Sequence, residues 1–106
     1  MNRDYDAMIE VSLLPTENDG KTGHIISGYR GAHLIKEDYL TSGIIELIDR
    51  EKLHPGETGM AFVNYITPDV YPHSIWVGKE MNLQEGSHIV GKTKVIEVYN
   101  RLLEKT

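Results

Sequence analysis

From Thr41 to Asn100 the chain is a succession of short apolar runs cut by glycine and proline: TSGIIEL, HPGETGMAFVNYITP, HSIWVGKEM and EGSHIVGKTKVIEVYN. This punctuation constrains the fold more than any other feature. Runs this short, separated by turn formers at such spacing, favour strands over long helices and an all-β barrel or sandwich over other classes.

The same pattern starts earlier. Ala7, Ile9, Val11 and Leu13 alternate with Met8, Glu10 and Ser12, the period of a half-buried strand. Pro15 and the polar run to Gly23 end it, with Asn18-Asp19-Gly20 as the turn. His24 to Ile35 reads as a second strand. Ile44 to Ile48 fits either a strand or a helix through Leu53, because Ile44, Leu47 and Ile48 share a helical face; Pro55-Gly56 closes either one. Met60 to Thr67 is apolar on both sides and reads as a central strand ending at Pro68-Asp69. Ile75 to Val77 follows as a strand, with Trp76 in the core. The last strand starts near His88 and runs to about Tyr99, before a tail, 101–106, that fits helix or coil.

At 106 residues the chain makes one domain. Hydrophobic residues at 40% and charged residues at 25% are ordinary globular values. There is no cysteine, which excludes disulfides and thiolate chemistry and fits a reducing compartment. The charged start, MNRDYDAMIE, is unlike a signal peptide, and no apolar run approaches the roughly 18 residues of a membrane helix. The expected location is the cytoplasm. The opening Met1 and the charged end, Glu104-Lys105-Thr106, read as those of a complete small protein. A net charge of −5 favours a protein partner over nucleic acid, whose binders display a basic field.

One octapeptide, GSHIVGKT at 86–93, matches the nucleotide-binding P-loop pattern letter for letter. Gly86 and Gly91 would let the backbone fold round phosphate, Lys92 would reach the outer phosphates, and Thr93 would hold magnesium. The context disagrees. A polar MNLQE precedes it where a buried strand belongs, Ile89 and Val90 are stiff and apolar, and only thirteen residues follow Thr93. The octapeptide is read as the start of the last strand. DGKTG at 19–23 is a near miss with Pro15 in place of the first glycine, and reads as a surface turn. The histidines 24, 33, 54, 73 and 88 show no metal-binding spacing, and no nucleophile elbow occurs. No cofactor, metal site or catalytic residue is expected.

Taken in order, Gly28-Tyr29-Arg30, Ser42-Gly43-Ile44-Ile45-Glu46-Leu47, His54-Pro55-Gly56-Glu57, Lys79-Glu80 and His88-Ile89-Val90-Gly91 form a series that resembles the C-terminal domain (domain 3) of elongation factor Tu, over about residues 7–100. The resemblance implies a six-stranded antiparallel β-barrel without an active site of its own, one that packs on protein domains and touches the T stem of tRNA. Arg30 matches the arginine of the GYR motif. Lys79 and His88 stand where that family has arginines, and Gly91 matches a glycine of its last strand. Met81-Asn82 replaces a glycine pair there, and Leu83 to Glu85 read as inserted. Lysine loses the bidentate fork and a neutral histidine loses most of the attraction for phosphate, so the tRNA-facing edge is the part that departs. The resemblance implies a non-catalytic binding module for a protein partner, such as a translation-factor mimic or a toxin-neutralising, immunity-type protein. Arg30, Lys79, His88, Gly91 and Lys92 are the residues expected to bind a partner or RNA; RNA binding, through a basic cluster around Arg30, Lys79, Lys92 and Lys94, stands second, and a nucleotide-dependent enzyme using 86–93 third.

Overall fold

A computed structural model describes residues 5–15, 23–36, 39–66 and 70–105. The expected turn at Asn18-Asp19-Gly20 and the stop at Pro68-Asp69 lie outside these residues. Among the described residues eight strands occur: β1 (Ala7–Leu13), β2 (Ile25–Ile26), β3 (Tyr29–Lys36), β4 (Tyr39–Leu47), β5 (Lys52–Leu53), β6 (Thr58–Tyr65), β7 (Glu80–Glu85) and β8 (His88–Val98). Six close into an antiparallel barrel in the order β1-β6-β4-β3-β7-β8, and β2 pairs with β5 in a small sheet beside it. The Cα radius of gyration, 12.8 Å, is that of a single domain of this length.

The barrel follows from alternation. Ala7, Ile9, Val11 and Leu13 point into the lumen and the residues between them point out. Along β4, Ile45 and Leu47 are buried while Ile44 and Ile48 are exposed. That is a period of two; a helix would have buried 44, 47 and 48 together. The stretch from His24 to Ile35 is divided by a turn at Ser27-Gly28 into β2 and β3.

Two expected elements differ. Ile75 to Val77 is not a strand: Ile75 makes one parallel bridge to Glu104, and Trp76 is 42% exposed instead of in the core. Ile75, with no exposure, fills the inward position in its place, and both Trp76 and Val77 face out. The Trp76 ring lies under the ammonium groups of Lys79, at 4.6 Å, and Lys105, at 4.9 Å. Residues 83–85, read as inserted, are the second half of β7, with Leu83 fully buried. MNLQE looks polar as a whole, yet Met81 and Leu83 alternate inward.

The start of β1 is tied to the ends of β6 and β8 at Asp6. Its carboxylate accepts from the Tyr65 amide at 2.8 Å and the Asn100 side-chain amide at 2.9 Å. Its carbonyl accepts from the amides of Tyr99 and Asn100. Beyond Asn100 the chain turns without forming a helix. Leu103 is buried, and the amide of Lys105 donates to the carbonyl of Ile75.

Candidate partner-binding surface

The outer wall of β3, β4 and β6 carries exposed apolar side chains that share a face. On β4, Leu40 lies opposite Leu34, Ser42 opposite Ala32 and Ile44 opposite Arg30, all across the β3 ladder. On the other flank Ile44 faces Asn64, and the Ile66 amide donates to the Ser42 carbonyl at 2.9 Å. Leu40, Ile44 and Ile66 are therefore neighbours, exposed by 41%, 39% and 42%. The apolar surface continues past Glu46 to Phe62 and Met8. There the Phe62 ring stacks on Tyr5, with centroids 4.5 Å apart, and tilts against Tyr99. The Tyr5 hydroxyl donates to the Glu46 carboxylate and fixes this end of the belt.

The residues expected to bind a partner or RNA do not converge. Arg30 is exposed beside Ile44, at the margin of the belt. His88 is exposed at the first position of β8, opposite Glu85. Lys92 projects outward between Ser12 and Asn82, four residues further along, which is about 13 Å of strand. Lys94 is flanked by Glu10 and Glu80 on the neighbouring strands, so its charge is offset on both sides. A shallow depression of ≈120 Å³ between these residues mixes both signs: Glu10, Ser12, Glu80, Lys92, Thr93 and Lys94.

Lys79 has a structural task. Its ammonium donates to the carbonyls of Ile35 and Ser74, each at 2.5 Å. These charge-assisted bonds hold the end of β3 to the 74–79 loop. Lys79→Met keeps the apolar stem and removes both bonds. It is expected to lower stability by about 2 kcal/mol, read as a shift of the urea midpoint.

Gly91 is structural as well. It is buried, and a Cβ there would lie 2.3 Å from the Ser12 carbonyl oxygen. The register shifts here, with Leu83 opposite Gly91 but Gln84 opposite Ile89. Val90 is the extra residue of a β-bulge, which is why Val90 and Gly91 both face inward.

This geometry decides how GSHIVGKT is used. Glu85 pairs with His88, leaving Gly86-Ser87 as a two-residue hairpin loop. Gly86, at φ 62°, occupies the first central position, where a type II′ turn calls for glycine. The rest is strand. Its backbone is engaged by β1 and β7, and Lys92 and Thr93 point to opposite faces, one to solvent and one into the lumen. An ammonium and a hydroxyl so divided cannot hold one phosphate and its metal.

Inside the barrel lies a feature that no spacing in the sequence announces. His33 is fully buried, and neither ring nitrogen has a hydrogen-bond partner of normal geometry. Its ring lies over Gly43, where a Cβ would come within 2.6 Å of Nε2, and it meets the Tyr65 ring edge-on at 5.4 Å. Burial pushes its pKa down to about 4, and the facing Gly43 backbone offsets only part of this. The hydroxyls of Tyr65 and Thr93 are also buried without a protein partner. A histidine that alternation places on the same face of its strand as Gly31 and Ile35 was the only signal.

Among the described residues an open cleft of ≈540 Å³ also lies between β2, β5 and the end of β4, lined by Ile26, Ser27, Leu47, Arg50, Glu51 and Lys52. Two of its polar groups are engaged: Ser27 accepts from the Leu47 amide, and Arg50 pairs with Asp49 and Glu57. No group of three or more metal-ligating side chains occurs among the described residues, and no described helix is long and apolar enough to cross a membrane. No protein-family model and no curated protein matches this chain.

Proposed function

We propose that this chain is a non-catalytic binding barrel of the elongation factor Tu domain 3 kind, which docks a protein partner on the outer wall of β3, β4 and β6. One observation carries the reading: Leu40, Ile44 and Ile66 form an adjoining, solvent-facing apolar group with Arg30 at its margin. Exposed apolar surface with a polar rim is what protein interfaces bury, and arginine is enriched in them. The dispersal of Arg30, His88 and Lys92, the carboxylates beside Lys94 and the engagement of Lys79 weigh against a phosphate-tracking RNA site. In its concrete form the module mimics a translation factor, competing for a protein that binds the factor or neutralising a toxin that attacks it. The setting is cytoplasmic.

The test is affinity capture from native lysate with the parent chain and with Leu40→Glu/Ile44→Glu, whose outward side chains leave the core untouched. The parent is expected to retain a stoichiometric protein and the variant to lose at least 90% of it, which a loss of about 2.8 kcal/mol of binding energy, roughly a hundredfold in Kd, suffices to produce. A partner held equally by both would place the interface elsewhere, and salt-sensitive tRNA retention would turn the reading to RNA. Displacement of the captured protein by excess elongation factor Tu distinguishes mimicry from an unrelated docking role.

A further inference from the structure

The barrel is not closed evenly. Among the described residues β3 and β7 share two registered pairs, Ala32↔Gln84 and His33↔Leu83, whereas every other seam of the barrel has five or more. Side chains do the rest of the closing. At one end Lys79 takes the Ile35 carbonyl, which β7 does not reach. At the other the Tyr29 hydroxyl donates to the Glu85 carboxylate at 2.8 Å. The one buried histidine of the lumen sits on one of the two pairs.

We propose that the β3–β7 seam is the line along which this barrel opens, and that a proton on His33 opens it. An imidazolium at this position would be a buried cation with only the Gly43 backbone to offset it in part, a state far costlier than the same charge in water. The surroundings supply no countercharge. β4 faces the ring with Gly43 and Thr41, and β7 with Leu83, none of which carries charge. β6 supplies the Tyr65 phenol, held protonated first by burial and then by the Asp6 carboxylate. That carboxylate is itself engaged by the Tyr65 amide and Asn100. Parting two residue pairs and the side-chain bonds of Lys79 and Tyr29 exposes the imidazole to water; parting any other seam breaks at least five ladder pairs. The short ladder therefore makes the opening local, and the histidine makes it acid-driven.

Hydrogen exchange on the full chain at pH 7 and pH 5, corrected for the intrinsic rate, tests this. Amides of β3 and β7 directed across the seam are expected to be less protected than those of Ile9 and Val11 in β1. The seam opening constant should rise about twentyfold between the two pH values, the factor set by a histidine moving between 6.5 and about 4. His33→Leu should remove that rise. As an independent arm that keeps the histidine, Ala32→Cys/Gln84→Cys can bridge the seam in a chain that has no other cysteine. Oxidised, it should raise the seam amides to the protection of β1, and reduction should reverse this. Seam amides as well protected as Ile9 and Val11 at both pH values would overturn the local opening. An undiminished pH response in His33→Leu would overturn the role of the proton.

Discussion

Gly91→Ala is expected to destabilise the barrel by about 3 kcal/mol or more, seen as a fall of roughly 12–24 °C in Tm. The added methyl would sit 2.3 Å from the Ser12 carbonyl oxygen and 3.2 Å from Leu13 Cα. Both neighbours are backbone of β1, held in ladders on its two sides, so no side chain can swing away to make room. Relief requires β1 and β8 to separate at the bulge, which would also strain the bond from the Leu14 amide to the Val90 carbonyl. Thermal unfolding followed by circular dichroism decides the matter. A change of under 1 kcal/mol would mean that β1 and β8 lie further apart than described. A serine or valine should do no better, because the obstacle is the Cβ itself.

Acid is expected to remove about 3 kcal/mol of stability through His33 alone. In the unfolded chain this histidine titrates near 6.5, and in the barrel near 4. Between these values the unfolded state holds more protons, so stability rises with pH. The contribution is complete above pH 6.5, declines as pH falls toward 4, and is flat below. Urea unfolding at pH 7 and pH 4.5 should therefore differ more in the parent than in His33→Leu, in which the buried nitrogens and their titration are gone. Equal pH dependence in the two proteins would assign the acid sensitivity to other groups.

Much of this barrel can be read directly from residue order. His54-Pro55-Gly56-Glu57 makes the turn its residues specify: Gly56 has φ 86°, the Glu57 amide donates to the His54 carbonyl, and the Glu57 carboxylate accepts from the His54 amide. β1 and β6 follow their alternation residue by residue. What failed to show had physical reasons. β7 was hidden because a strand lining a barrel needs only two inward apolar residues, Met81 and Leu83, and its outward Asn82 and Gln84 make the whole look like loop. Trp76 was misplaced because its size suggests core, whereas its backbone belongs to a loop anchored by Ile75. The P-loop match was a coincidence of letters. A hairpin glycine, a bulge glycine and an outward lysine happen to stand at phosphate-binding spacing. As for the surface, a single residue such as Arg30 or Lys92 could be named from the chain, but only the register brings Leu40, Ile44 and Ile66 side by side.

The place of β1 has a consequence for how the molecule comes into being. It is the first strand made, yet one of its two neighbours, β8, is the last, and the Asp6 carboxylate is completed only by Asn100. On the ribosome the strand from Ala7 to Leu13 must therefore wait with an edge unpaired until residues 88–98 have cleared the exit tunnel. At about 5–20 residues per second that wait lasts several seconds. Closure is then a late event that joins the first and last strands of the barrel.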